Sequence, residues 1–527
     1  MSNAHAQTES VGEVVGCDKM SVTGEDEALP VEGSVKICCC KSSNEHSAEG
    51  SIEEMFLDSK GREIAELEQP EILSMLPNFE GKRVLELGAG IGRHTKNIAE
   101  RASHVTAVDF MENFIQKNKE ANGKHPHVEF LCADVTHLER QPASYDIIFS
   151  NWLLMYLGDD EVQKLLNKML MWLVDDGQLF FHESCFGQSG DKSRTSNPTF
   201  YRSPMVYGAL LDAAHNVTPD GSISSFELMW GRSLQAYIQL KSNPNQLCWL
   251  YKKVTKPGVA NGHPGEHPSF QQFLDKQQYS LNGILRYERI FGKEFISTGG
   301  LQTTKEFVPS LNLKVGEKVI DVGCGIGGSA FYMAENFGVQ VLGVDLSANM
   351  ISIAQERTLQ YQQLFDKVQF EICDVTVREF LPETFDVVYT RDTLLHIADK
   401  PTLFKKFLSW LKPGGRLLIT DYCCGTDPWT PDFAEYVKHR GYHLLDVRSY
   451  GKIIEEAGFT KVVAEDKTSM FVSVLTEELT KFRKEKDSFI KEFTAEDYDA
   501  IVSGWAAKLE RCQVGQQKWG LFLATKS

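Results

Sequence analysis

A glycine-rich decapeptide that occurs twice, 235 residues apart, limits the fold of this chain more than any other feature: Val84-Leu-Glu-Leu-Gly-Ala-Gly-Ile-Gly-Arg93 returns as Val319-Ile-Asp-Val-Gly-Cys-Gly-Ile-Gly-Gly328. The interval is the size of a domain and too long for a solenoid repeat, so two copies of one fold are expected. The copies stay in step downstream. Val105-Thr-Ala-Val-Asp109 answers Val341-Leu-Gly-Val-Asp345, Val128-Glu-Phe-Leu-Cys-Ala-Asp-Val135 answers Val368-Gln-Phe-Glu-Ile-Cys-Asp-Val375, and Tyr145-Asp-Ile-Ile-Phe149 answers Phe385-Asp-Val-Val-Tyr389. Short β-branched runs separated by longer amphipathic stretches, such as Met350 to Leu364, predict βαβ units and a parallel sheet. The expectation is an α/β chain of two tandem doubly wound, Rossmann-like domains.

With 527 residues the chain exceeds one ordinary core. Residues 1–50 are rich in Ser, Gly and Glu and read as a disordered leader. A first domain over 51–255, a Pro/Gly-rich linker over 256–269 and a second domain over 270–527 follow. A net charge of −17 argues against a nucleic-acid partner. No apolar run reaches the roughly 18 residues that span a bilayer, so no membrane insertion is expected. Twelve scattered cysteines without a secretory signal fit a cytoplasmic location, and the chain is expected to be a monomer. Cys38-Cys39-Cys40 lacks zinc-site spacing. His263-x-x-Glu266-His267 matches an inverted zincin motif, but Pro264 and Gly265 oppose the helix it needs. No metal is expected.

Gly88-x-Gly90-x-Gly92 alone fits a nicotinamide dinucleotide site as well as any other. Its surroundings are more specific. A second strand ends in Asp109 or Asp345, where a carboxylate can accept both ribose hydroxyls, and a third leads to Asp134 or Asp374, where one can accept an adenine amino proton. In the first copy Arg93 stands where G-x-G-x-x-G would place its third glycine. Both copies resemble the E/D-x-G-x-G-x-G motif of class I S-adenosylmethionine-dependent methyltransferases.

The second half carries Gln278-Tyr279-Ser-Leu-Asn-Gly-Ile-Leu-Arg-Tyr287, Phe295-Ile-Ser297, Tyr389-Thr-Arg391-Asp392-Thr-Leu-Leu-His396, Asp421-Tyr422-Cys, Tyr436-x-x-x-Arg440-x-Tyr442 and Gly504-Trp505-Ala-Ala-Lys508. Over residues 270 to 527 these stretches closely resemble phosphoethanolamine N-methyltransferases. N-methylation needs an amine lone pair, although a free alkylammonium has a pKa of about 10, so a base must remove its proton. The resemblance implies Tyr279 and His396 as the catalytic pair. It implies Tyr287, Tyr422, Tyr436, Arg440, Tyr442 and Lys508 around the substrate phosphate, with Asp392 facing the amine. For the cofactor it implies Gln278, Ile296, Ser297, Gly323, Asp345, Leu346, Asp374, Val375 and Arg391. A guanidinium can hold phosphate oxygens bidentately and an ammonium adds a point charge.

The first half resembles the amino-terminal half of the two-domain plant and animal members, through Phe149-Ser-Asn151-Trp152-Leu-Leu-Met-Tyr156, Glu183-Ser184-Cys-Phe-Gly-Gln-Ser189-Gly190-Asp-x-x-Arg194 and Asn197-Pro-Thr-Phe-Tyr201-Arg202. This implies Gly88, Arg93, Asp109, Asp134, Val135 and Asn151 at the cofactor and Ser184, Ser189, Gly190, Arg194 and Tyr201 at the phosphate. Tyr156 stands at the repeat position of His396, so the halves cannot use identical bases. The family's aromatic pair before Glu-His-Ser is replaced by Ser42-Ser43, which predicts weaker closure of the first site. The resemblance implies S-adenosylmethionine-dependent methylation of phosphoethanolamine through mono- and dimethyl forms to phosphocholine. The alternatives are a methyltransferase for another small amine and a cofactor-binding regulatory protein with one inactive domain.

Overall fold

Both copies of the glycine motif fold as a strand that is buried on its two faces. These are β1 (Arg83–Leu87) and β9 (Lys318–Val322), each shielded along its last four residues, as near-continuous apolar runs in the middle of a parallel sheet should be. The computed structural model describes residues 51–193, 199–218, 220–257 and 270–527. The expected leader with Cys38–Cys40 and Ser42-Ser43, most of the linker with His263, Glu266 and His267, and Arg194 lie outside the described residues.

The first half continues with β2 (His104–Asp109), β3 (Val128–Cys132), β4 (Tyr145–Asn151), β5 (Leu173–Ser184), β6 (His215–Val217), β7 (Ile223–Ser233) and β8 (Gln246–Lys256). The second has β10 (Gln340–Asp345), β11 (Val368–Cys373), β12 (Phe385–Arg391), β13 (Leu411–Cys424), β14 (Thr460–Asp466) and β15 (Gln517–Thr525). The spatial orders are β3-β2-β1-β4-β5-β8-β7 and β11-β10-β9-β12-β13-β15-β14, one arrangement built twice. In each, five parallel strands are followed by an antiparallel pair. The order reverses beside β1 and β9, the switch point where open α/β sheets bind ligands. The stretch predicted from Met350 to Leu364 forms a helix over Ala348–Thr358 and a separate 3-10 turn at Gln362–Leu364.

The halves share one sheet. β7 pairs antiparallel with β11 through Arg232 opposite Glu371, Gly231 opposite Ile372 and Trp230 opposite Cys373. Gly231 is required there, because a Cβ would lie 2.5 Å from the Trp249 ring and 3.1 Å from Ile372. Beyond the pairing, Gln235 and Gln369 exchange amide hydrogen bonds at 2.7 and 2.9 Å. Among the described residues no helix is long and apolar enough to cross a membrane.

Candidate active site

At each switch point the acid ending the second strand also braces the glycine loop. Asp109 accepts hydrogen bonds from the amides of Gly90 (2.8 Å) and Met111 (2.9 Å). Asp345 accepts from Gly325 (3.0 Å) and Ser347 (2.9 Å). Gly88 and Gly323 turn at φ 71° and 72°, and a Cβ on Gly323 would meet the Thr393 hydroxyl at 2.0 Å. Burial raises the Asp109 carboxyl and pushes Asp345 up to about 6. Asp134 and Asp374 lie just past β3 and β11 and accept from the Thr136 and Thr376 amides, and the side chain of Val135 is buried beside Asp134.

In the second half a cavity of about 560 Å³ opens at this point, within the size range of small-molecule sites. Tyr279, Ile296, Ser297, Gly323, Asp345, Leu346, Asp374, Val375, Arg391, Asp392 and His396 all line it. Gln278 ends a single π-helical turn over Leu274–Gln278 and donates to the Tyr279 hydroxyl at 3.2 Å. The Arg391 guanidinium is committed to protein: it donates to the Thr298 carbonyl (2.8 Å), Thr303 (2.6 Å) and Thr304 (2.8 Å), and so fixes the turn behind Ile296 and Ser297.

The six predicted phosphate residues form one patch beside His396. The Lys508 ammonium donates to the Tyr422 hydroxyl at 3.1 Å, Arg440 bonds Tyr287, and the Tyr442 ring packs against His396, Tyr422 and Tyr436 at 5.2, 6.4 and 5.9 Å. Tyr436 and Arg440 share the helix Pro431–Arg440. Burial, then Arg440, Lys400 and His443, push the His396 imidazole down to about 4, so it is neutral near pH 7. Burial, then the Asp345 carboxylate, raise the Tyr279 phenol, which keeps its proton. Asp392 sits at φ 50° directly after β12, and burial raises its carboxyl.

The first site is tighter. Ser184, Ser189, Gly190 and Tyr201 come together around a cavity of about 30 Å³, room for about one water. Gln246 joins them, donating to the hydroxyls of Ser184 (2.9 Å) and Ser189 (2.7 Å) and accepting from the Trp152 indole (2.9 Å). Residues 57–59 lie over the cradle, with Lys192 N on the Leu57 carbonyl and Ser59 N on Asp191, both at 2.9 Å. Asn151 pairs with His182 at 2.6 Å. Arg93 forms a buried ion pair with Glu68 at 2.5 Å and lies over the Phe56 ring. Tyr156 stands half-exposed on the turn Leu154–Tyr156, the counterpart of the turn Leu394–His396.

Sequence reasoning missed Gln246, Trp519 and Glu478. Glu478 accepts from the Gly299 amide (2.7 Å) and the Trp505 indole (3.0 Å), tying the Lys508 helix to the turn after Ser297. One signal existed: Glu478 falls on the buried face of its helix, in phase with Phe471, Leu475 and Phe482, where a lone carboxylate needs partners.

This doubled strand order, with a glycine loop and an acid at each switch point, defines a pair of Rossmann-like class I methyltransferase domains, and family models described as "Methyltransferase domain" match residues 84–177 and 313–458. Phosphoethanolamine N-methyltransferase 1 of Triticum aestivum is 51% identical over 487 residues, 92% of this chain and 95% of the relative. Phosphoethanolamine N-methyltransferase 1 of Arabidopsis thaliana is 52% identical, covering 92% of this chain and 96% of its own length. Phosphoethanolamine N-methyltransferase 2 of Haemonchus contortus, solved with phosphomonomethylethanolamine and S-adenosylhomocysteine, superposes with a TM-score of 0.70 at 26% identity over 88% of this chain and 99% of that one. The chain belongs to the phosphoethanolamine N-methyltransferase family.

Proposed function

We propose that the chain transfers methyl groups from S-adenosylmethionine to the nitrogen of phosphoethanolamine and carries the product through its mono- and dimethyl forms to phosphocholine. The observation that carries this reading is the closeness of two recognition elements: the Asp392 carboxylate in the cavity wall for an ammonium, and, beside that wall where the Tyr442 ring packs on His396, the Lys508–Tyr422 pair with Arg440 for a phosphate. Free amines would leave those cations without an anion.

Bound S-adenosylmethionine supplies an electrophilic methyl carbon on a sulfonium. The acids Asp345 and Asp374, the loop at Gly323 and the turn at Ile296 and Ser297 would hold it, and the lining of the cavity fits that donor set. Tyr287, Tyr436, Tyr442, Arg440 and Lys508 anchor the phosphate, and Asp392 orients the amine. Neutral His396 takes the ammonium proton and Tyr279 holds the nitrogen by its hydroxyl, so that the amine presents its lone pair; the sulfonium would give up its methyl group to that lone pair and leave as a neutral thioether. The first domain performs the initial methylation and the second the later ones. Tyr156 in place of His396 supports a division of labour. The eight free thiols among the described residues support the cytoplasm as its location.

Mass spectrometry of a timed reaction with phosphoethanolamine tests the proposal. Phosphomonomethyl- and phosphodimethylethanolamine are expected in succession before phosphocholine. Product that stops at one methyl would overturn the full sequence.

A further inference from the structure

In both halves the turn that bears Tyr156 or His396 is gripped by a buried acid and a buried cation, and the cations come from different places in the chain. In the second half Asp421 accepts from the amide of Leu395 (3.2 Å) and of the phosphate residue Tyr422 (3.0 Å). Lys400 donates to the carbonyl of Ile397 (2.8 Å), directly after His396, and to the carbonyl of His443 (2.7 Å), directly after Tyr442. The His443 amide closes the circuit on the Leu395 carbonyl at 2.7 Å. Lys400 is 2% exposed and Asp421 is fully buried.

In the first half Glu183, at the strand position of Asp421, accepts from the amides of Leu153, Leu154 and Met155. The cation is Arg202, which follows the cradle residue Tyr201 and donates to the carbonyls of Leu154 and Leu157. Leu157 is the counterpart of Ile397. The Phe200 amide bonds the Met155 carbonyl at 2.7 Å, as His443 bonds Leu395. Lys400 begins a helix and Arg202 lies in the loop after β5, a helix and a strand further along its domain, yet both hold the same carbonyl. Two unrelated side chains at one task mark the task as required, since a buried ammonium or guanidinium is costly where packing alone would serve.

We infer that Lys400 and Asp421 are positioning residues of the second site, which lock the turn carrying His396 to the loop carrying Tyr442, so that the base and the phosphate anchor move as one body; Arg202 and Glu183 do the same for the first. The inference rests on His396 acting as the base. A shared frame matters because misplacing a reacting group by about 1 Å can cost 10²-fold in rate.

The test uses the full chain in an Asp109→Ala background, so that turnover reports the second site, with phosphomonomethylethanolamine as substrate. Lys400→Met and Asp421→Ala should each lower kcat by about 10- to 100-fold, with cofactor Kd by calorimetry within about twofold of the background. Asp421→Asn keeps an oxygen for the Leu395 amide and should recover most of the loss, which a simple folding defect would not separate from Asp421→Ala. The inference is overturned if Lys400→Met and Asp421→Ala keep kcat within twofold, if cofactor affinity falls in proportion to kcat, or if Asp421→Asn is no better than Asp421→Ala. His396→Ala run alongside separates the readings, because unchanged turnover there removes the base assignment itself.

Discussion

The indole of Trp519 donates to one carboxylate oxygen of Asp392 at 2.8 Å, while the other oxygen is buried with no hydrogen-bond partner among the described residues. A buried acceptor left in this way is costly unless a ligand completes it, and the cavity it borders is where the amine is proposed to bind. Asp392→Asn keeps the shape and the Trp519 contact but loses the charge. It is expected to raise KM for the phosphobase in the second domain by about 10- to 100-fold, the scale of a charged hydrogen bond. Cofactor affinity should stay unchanged, which steady-state kinetics paired with calorimetry would check.

Tyr279→Phe and His396→Ala should each reduce second-domain turnover by roughly 10² or more, the scale of general acid-base catalysis. Because the two are proposed to act on one proton, the double variant should lose far less than the product of the single losses. Raising pH should restore part of the rate in each, since more of the amine then arrives deprotonated. Pre-steady-state methyl transfer at pH 7 and 9 reads this directly, and wild-type rates in both single variants would move the base role elsewhere.

Asp345→Ala removes both the proposed ribose acceptor and the brace on the Gly325 amide. Titration of the full chain with cofactor should show one of two binding events weakened by at least about tenfold. Asp109→Ala should weaken the other event alone, because the two acids serve separate loops. Loss of both events from one substitution would contradict two local sites.

His182 is fully buried, and burial pushes its imidazole down to about 3 from 6.5. The folded state holds it neutral, so its contribution is fully present above pH 6.5 and is lost as pH falls through that range toward 3. Melting temperature should therefore drop between pH 6.5 and 4, and drop less steeply in His182→Gln. Parallel pH slopes for the two proteins would show that His182 is not the group responsible.

The duplicated motif carried the fold because its signals are local. β2 and β10 end at Asp109 and Asp345, as their patterns predict, and both halves repeat one strand order. The seam between β7 and β11 was not legible: it rests on three residue pairs and on the absence of a side chain at Gly231, and edge pairing leaves no periodic trace. The cavity-lining residues of the second site were legible through short motifs. Gln246 and Glu478 were not, because their partners are remote in the chain: Ser184 lies 62 residues from Gln246, and Gly299 lies 179 residues from Glu478.

The measurement that bears most directly on the account is methyl transfer from S-adenosylmethionine to phosphoethanolamine and to ethanolamine by the full chain, compared as kcat/KM. Arg440, Lys508 and the surrounding tyrosines predict a preference for the phosphate ester of about 10³-fold or more, since two charged hydrogen-bond anchors are lost with the free amine. Equal kcat/KM for ethanolamine and its phosphate ester would contradict the account.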